Sequence, residues 1–357
     1  MSDTRLKMIK ASEEDAWMDV LSQVQGYDFY HLPGYHRLAA EQGEGEGVLL
    51  TYTEGSSMIA LPLLLRPIDV VNNHDLDGYQ DATSVYGYAG PVATPSALAD
   101  ADFLNRFKDA LQSEAIQMRI VSVFSRLHPI LDNHQLVAGL GDVILLGPTV
   151  SIDLTASDEQ QLAGYRQNHR AQVRRARAQG VQVRQASDDA ILEAFQHLYY
   201  ATMERLQAAD RYFFEPDYFR RLRDLRGSSL RVVLAEWQGE PCAAVLYMHT
   251  GDFVQYHLSA SDAKYAKLAP TKLVIDEARS WAAGVGAKYL HLGGGVGAQE
   301  DQLYHMKSGF SDLRHRFYVW NWIVNPEIYR QLVEARQFCD DEVEAGGSSG
   351  FFPLYRR

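Results

Sequence analysis

Two stretches far apart in this chain read alike: VLLTYTEGSSMIALPLLL, starting at Val48, and VVLAEWQGEPCAAVLYM, starting at Val232. Each is an apolar strand, a turn with a glycine and an acidic residue, and a second apolar strand. Each is followed, after an intervening segment, by a helical pattern and then a strand, over 97–124 in the first half and 270–292 in the second. A period this long excludes a short solenoid array and predicts a duplicated α/β unit; a chance likeness of two hairpins is the alternative. The antiparallel hairpins argue against a purely parallel, doubly wound sheet. The expected fold is therefore α/β (α+β): two tandem units, each a mixed, mainly antiparallel sheet flanked by helices. The units are drawn at 1–150 and 151–345, with a tail at 346–357.

Composition narrows the function classes. Of the 357 residues, 46% are hydrophobic and 22% charged, a globular balance. No apolar run approaches the roughly 20 residues that span a bilayer. The longest, Met58 to Leu65, is interrupted by Pro62, and the N-terminus lacks the apolar core of a signal peptide. Two cysteines, Cys242 and Cys339, make no disulfide framework. A cytoplasmic protein without a membrane span is expected. The 12 histidines show no HxxxH or HExxH spacing, so no metal site is expected, and no GxSxG elbow occurs. The net charge of −12 opposes general binding to nucleic acid or anionic membrane. Any anionic partner must be met locally.

One segment offers such a place. From Tyr165 the chain reads YRQNHRAQVRRARAQG, and no Asp or Glu occurs between Glu159 and Asp188. A single helix is expected over 158–179, closed by Gly180. Arg166, Arg170, Arg174 and Arg177 share one face at spacings of 4, 4 and 3, with His169 and Arg175 beside it. Guanidinium forks grip phosphate bidentately. The competing reading is a solvated face, or one absorbed by salt bridges.

Two further segments suit a ligand. In HLGGGVGAQEDQLYHMKSGF, His291 to Phe310, a strand runs into three glycines, a short helix and Lys307. The glycines permit close backbone approach, and the spacing is neither a Walker loop nor a dinucleotide fingerprint. Lys307 is either a cleft residue or a surface lysine. In YAKLAPTKL, Tyr265 to Leu273, a loop enters a helix whose first N–H groups are free for an anion or a carbonyl. An ordinary helix start reads the same way. Elsewhere, Ser12 is expected to cap the first helix, 69–81 to be a polar loop, Asn325 to cap a helix through 338, and GGSSG to be a flexible joint.

This ordered set resembles the Fem-type aminoacyltransferase branch of the GNAT superfamily, with its related acetyltransferase domains. The set comprises the arginine helix ending in Ala-Gln-Gly-Val, the hairpin, the loop entering a helix, the glycine-rich strand end and the lysine before Gly-Phe. The resemblance is strongest from Tyr165 to Trp322; YDFYHLPGYHRLAA and SVYGYAGPV carry it in the first half. It implies two GNAT-like units with the active cleft between them, and transfer of an acyl group to an amine. The implied donor is aminoacyl-tRNA or acyl-CoA as co-substrate, with no tightly bound cofactor. The implied acceptor is a nucleotide- or lipid-linked cell-envelope saccharide or peptidoglycan-type precursor. Acetyl-CoA-dependent acetylation in polysaccharide biosynthesis, and a non-catalytic glycan- or nucleotide-binding module, are the alternatives.

By the same resemblance Lys307 would stabilise the oxyanion or leaving group. Arg170, Arg174 and Arg175, with Tyr86 and Tyr88, would bind substrate. Tyr265, Pro270 and Thr271, with Gly293 and Gly294, would lie at the donor. Tyr304 and His291 are catalytic candidates, and Asp81, His291 and Tyr304 stand as candidates for the general base. The segment from Tyr265 to Thr271 has no glycine, unlike the Q/RxxGxG/A loop of CoA-binding relatives.

Overall fold

The computed structural model describes residues 6–68, 78–215, 217–335 and 351–357. In chain order the elements are β1 (Leu6–Lys10), α1 (Glu14–Leu21), α2 (Pro33–Glu41), β2 (Glu46–Glu54), β3 (Ser57–Pro67), β4 (Gln80–Thr83), β5 (Val92–Ala93), α3 (Pro95–Leu98), α4 (Ala101–Gln117), β6 (Ile120–Arg126) and β7 (Asp142–Asp153). There follow α5 (Asp158–Ala163), α6 (Gln167–Ala178), β8 (Gln182–Ala186), α7 (Asp189–Arg205), α8 (Tyr218–Arg223), β9 (Ser229–Trp237), β10 (Glu240–Thr250) and β11 (Phe253–Ser261). The chain closes with α9 (Pro270–Gly284), β12 (Tyr289–Gly293), α10 (Gln302–Lys307), β13 (Arg314–Ile323) and α11 (Pro326–Ala335).

Two compact units result: Met1–Leu146 with Phe317–Arg357, and Gly147–Arg316. The second unit therefore ends before 345, because β13 returns the chain to β6, pairing Val319↔Arg126 through Ile323↔Ser122. The joint at 346–350 and the end of the last helix, 336–338, lie outside the described residues, as does 69–77 of the expected polar loop.

In the first unit the strands run β1-β2-β3-β4-β6-β13, with β5 on β3. The hairpin β2/β3 closes at Glu54↔Ser57, leaving Gly55 and Ser56 in the turn, and Gly55 takes φ 58° as tight hairpins require. β4 and β6 are parallel, joined through α4. That helix begins at Asp100, whose carboxylate accepts from the Phe103 N–H at 2.9 Å, and it buries Phe103, Phe107, Leu111 and Ala115 on one stripe. These side chains meet Tyr52, Ile59, Leu61 and Trp320 in one core. Each fully buried large apolar group there contributes about 1.5–3 kcal/mol.

In the second unit the order is β7-β12-β11-β10-β9-β8. The β9/β10 turn places Gln238 and Gly239 at φ 54° and 85°. α9 then leads to β12, which runs parallel to β11. The echo in the sequence is thus a repeated topology: hairpin, third antiparallel strand, helix, parallel strand. Val150, Ile152, Val245, Val254, Leu290 and Leu292 face α6 and α9 across this unit's core.

Local expectations needed correction. The basic segment is two helices, because Gly164 ends α5 and Arg166 is extended at ψ 143°. Between them Tyr165 is buried and its hydroxyl donates to Asp276 at 3.0 Å. Ser12 does not cap α1; Glu13 occupies the N-cap position, and its carboxylate accepts from the Lys10 N–H instead. Asn325 does cap α11, through the Ile328 N–H at 3.1 Å. Asp81 is fully buried and held by Arg66 at 2.6 Å and Arg356 at 2.8 Å, so it serves as an anchor rather than a base. The tail packs Leu354 and Tyr355 against Tyr329, Leu332 and Val121 of the first unit.

Candidate functional site

The second unit holds the candidate site, beginning where its parallel pair parts. β11 and β12 pair over only three rows, Phe253↔Tyr289 to Gln255↔His291. Beyond them β11 runs on to Ser261, while β12 ends at Gly293, where φ is 74°. A strand edge without a neighbour presents backbone N–H and C=O groups that a ligand can pair.

α10 delivers the lysine to this opening. Asp301 caps the helix, accepting from Tyr304 N–H at 2.8 Å and from Val296 N–H at 3.1 Å, and these bonds hold its carboxyl below the usual range. Gly295 must be glycine, since a Cβ would lie 2.2 Å from Asp301 Oδ1. Tyr304 and Lys307 are three residues apart and share a face. Lys307 is 6% exposed; its Nζ donates to the Gly294 carbonyl at 2.7 Å and sits 5.0 Å from the centre of the Tyr256 ring. Burial pushes its pKa down to about 7, with Asp301 opposing the shift. The Tyr304 hydroxyl accepts from Arg314 Nε at 3.2 Å. The Arg314 guanidinium also donates to the carbonyls of Ser311 and Leu313 at 2.6 and 3.2 Å, and to that of Ser308 at 3.1 Å.

His291 is fully buried, and its Nδ1 lies 2.7 Å from Gln255 Oε1, which fixes the ring.

The start of α9 lies at the end of the Tyr265 loop. Tyr265 is buried, edge-on to Trp237 at 6.0 Å. Ala269, in the left-handed region at φ 51°, offers no side-chain cap, and Pro270 opens the helix. The first N–H groups and the helix dipole favour an anion or carbonyl oxygen here. Lys272, in the first turn, is half-buried beside His169, and burial and Arg166 lower its pKa.

The arginine face divides into paired and open cations. Arg166 bonds the Ser308 hydroxyl at 3.0 Å, and Arg177 pairs with Asp276 and Glu277 of α9 at 2.7 and 2.8 Å. Arg170 is half-buried against the Leu162 carbonyl. Arg174 and Arg175 are exposed, with no ion pair among the described residues. The salt-bridge reading thus accounts for Arg177, and the cations open to a ligand are Arg170, Arg174 and Arg175. His169 ties α6 to the lysine segment through the Met306 carbonyl at 2.8 Å. Gly309 makes that approach possible, since a Cβ would meet His169 Nε2 at 2.2 Å, and Phe310 fills the space between the Tyr165 and His169 rings.

Tyr86 and Tyr88 belong to the first unit. Arg126 lies 5.7 Å from the centre of the half-exposed Tyr86 ring, and Tyr88 packs against Tyr30 and Phe317. Gln255, Tyr256, Asp301 and Arg314 escaped sequence reasoning. Only Asp301 left a signal, an acidic N-cap directly before α10.

Residues 163–304, within the second unit, match the family model described as an acetyltransferase (GNAT) domain. The structure of FemX superposes with a TM-score of 0.65 at 14% identity, covering 91% of this chain and 99% of that one. The C-terminal domain of a putative lysylphosphatidylglycerol synthetase from Agrobacterium fabrum gives 0.54 at 15%, covering 87% and 92%. L-PGS from Bacillus licheniformis gives 0.55 at 14%, again covering 87% and 92%. No curated protein sequence matches. Residues 163–304 are thus similar to an acetyltransferase (GNAT) domain, and the chain shares its fold with FemX. Among the described residues no helix is long and apolar enough to cross a membrane.

Proposed function

We propose that this acyltransferase moves an aminoacyl or acetyl group onto an amine of a cell-envelope saccharide or peptidoglycan-type precursor, in the cytoplasm. The observation that carries the reading is Lys307: a buried ammonium against the Gly294 carbonyl, beside the opening of β11 and β12. In its protonated form it stabilises the negative charge that develops on the donor carbonyl oxygen as the amine attacks. Tyr304, on the same helix face, is placed to give a proton to the departing thiolate or ribose oxygen. The open start of α9 with Lys272 takes a donor phosphate or carbonyl, and Tyr265, Pro270, Thr271, Gly293 and Gly294 shape that path. Arg170, Arg174 and Arg175 hold a diphosphate of the acceptor.

The fold of FemX favours a nucleotide- or lipid-linked precursor, with aminoacyl-tRNA as one donor. The acetyltransferase description of residues 163–304 favours acetyl-CoA as the other. The test is a transfer assay pairing each donor with nucleotide-linked amino-saccharide precursors, run on wild type and Lys307→Ala. Transfer that falls by ~10²–10³-fold in a folded variant supports the reading. Unchanged turnover in Lys307→Ala removes its central residue.

A further inference from the structure

Lys307 stands on a helix too short to hold itself. α10 has 6 residues and Lys307 is the last of them. A helix of that length is marginal in water, because too few propagating turns offset its costly nucleus. Its geometry therefore depends on what satisfies its two ends. Asp301 serves the first N–H groups. The last carbonyls are served from α6. The Arg166 guanidinium donates to the His305 carbonyl at 3.3 Å, and His169 Nε2 donates to the Met306 carbonyl at 2.8 Å. The Arg166 N–H adds a bond to the Gly309 carbonyl at 2.8 Å. A turn bond from the Gly309 N–H to the Met306 carbonyl is longer, 3.3 Å, so the histidine is that carbonyl's closer donor.

Both polar neighbours of the His169 ring dictate one tautomer. A carbonyl only accepts, so Nε2 carries the proton. An ammonium only donates, so Nδ1, 3.5 Å from Lys272 Nζ, keeps its lone pair. Gln172 steadies that ammonium by accepting from it. The ring is buried, and burial is the main cause that lowers its pKa. Lys272 and Arg166 add to the lowering, since a charged imidazole would be a third cation beside them, while the Met306 bond opposes it. His169 thus touches both ends of the proposed donor path: Lys272 in the first turn of α9, and the peptide unit that joins Met306 to Lys307.

We propose that His169 is a positioning residue for transfer: as the Nε2–H tautomer, selected by Lys272, it pins the last turn of α10 and so holds the Lys307 ammonium at the Gly294 carbonyl. The inference rests on the transferase reading above and adds the group that keeps Lys307 in register with the start of α9.

The transfer assay above, run together with NMR of lysines labelled at Cε and of nitrogen-labelled histidines, tests it. His169→Leu removes the donor to Met306. Its kcat should fall ~10–10²-fold with both KM values unchanged, the loss expected when a reacting group is misplaced by about 1 Å. The Lys307 titration should move from about 7 toward the ordinary lysine range as water reaches the ammonium. His169→Gln keeps an amide donor for the Met306 carbonyl and should restore most of both. Arg177→Leu breaks a different contact of α6, to Asp276 and Glu277, and should lower the melting temperature while leaving kcat and the Lys307 titration unchanged. In the wild type the His169 ring should be neutral with its proton on Nε2 at pH 6.5, where an unshifted histidine is half-charged. Lys272→Met should let the Nδ1–H form appear. Equal losses in His169→Leu and Arg177→Leu, a raised donor KM at unchanged kcat, or a wild-type proton on Nδ1 each overturn the inference and leave the transferase reading intact. A wild type that transfers from neither donor overturns that reading, and the lysine titrations then decide by themselves whether His169 holds Lys307.

Discussion

The two units repeat one topology and treat its parallel pair in opposite ways. In the first, β4 and β6 stay closed. Pairing continues past Thr83↔Phe124 as Ser84 N–H bonds the Phe124 carbonyl and the Ser84 hydroxyl accepts from Arg126 N–H at 3.1 Å. Ala89 then bridges Leu127. In the second, β11 and β12 separate after Gln255↔His291, and a glycine run and a buried lysine occupy the place. Buried polar groups are bonded in both units: in the first, His128 to Asp28 at 3.1 Å and Asn133 to the Ala89 and Pro91 carbonyls at 3.0 and 2.9 Å; in the second, Lys307 to the Gly294 carbonyl at 2.7 Å beside the opening.

Charge divides likewise. The first unit carries 26 acidic and 13 basic residues, a balance of −13; the second carries 20 and 21, a balance of +1. The acidic surplus of the chain lies in the unit whose parallel pair is closed.

The sharpest test of that contrast is at Lys307. Lys307→Ala should cost ~10²–10³-fold in transfer. Where the ammonium is needed, transfer should decline as pH rises through about 7, and this limb should vanish in the variant. The fold should respond oppositely. Between about pH 7 and 10.5 the unfolded lysine is charged and the folded one neutral, so stability falls as pH drops through that window. Lys307→Met should raise the melting temperature at neutral pH, an effect on the order of 1 kcal/mol or more. A lower melting temperature would mean the lysine serves as fastening after all.

Breaking a fastening in the first unit should do the reverse. Arg66→Ala leaves the buried Asp81 with Arg356 as its remaining arginine partner and should cost about 2 kcal/mol by chemical denaturation. Transfer per folded molecule should not change. Gly309→Ala lies between these cases: the new methyl drives His169 from the Met306 carbonyl and should cost about 1–3 kcal/mol together with activity.

Acid should separate the units further. Burial lowers the His31 and His36 pKa values to about 3 and 4. Below about pH 6.5 the unfolded histidines take up protons and the folded ones do not, so stability falls from there toward pH 4, by about 2 kcal/mol for each histidine at pH 5. The second unit has His257, lowered by burial to about 3, and His169, whose lowering by burial is opposed by its bond to the Met306 carbonyl. Amide exchange at pH 5 should open the segments around His31 and His36 first. The smallest effect on the fold is expected for Arg174→Ala/Arg175→Ala. Exposed and without ion pairs among the described residues, they should leave stability within about 0.5 kcal/mol while weakening binding of a nucleotide diphosphate in calorimetry.

Much of the repeat was legible because its signals are local. Apolar runs around Gly55 and Gly239, helix periodicity after Asp100 and the proline at 270 each act within a few residues. The basic segment was legible as basic and helical, but its break at Tyr165 was not, since the cause is a hydroxyl bond to Asp276 over a hundred residues away. Lys307 stood out by its glycine-rich setting, whereas Gln255 and Ser151 carried no signal. Their place opposite His291 is a matter of register, and register joins strands that are distant in the chain.

The amino-acid order by itself determined the duplicated α/β architecture, the acid-free helix and the glycine-lysine segment, because turn chemistry, periodicity and local charge act at short range. Tertiary structure alone decided which arginines remain open, which unit's strands part, and that Lys307 loses its hydration. Each of these depends on partners brought from remote positions, and on the burial that makes an ammonium give up its proton near neutral pH.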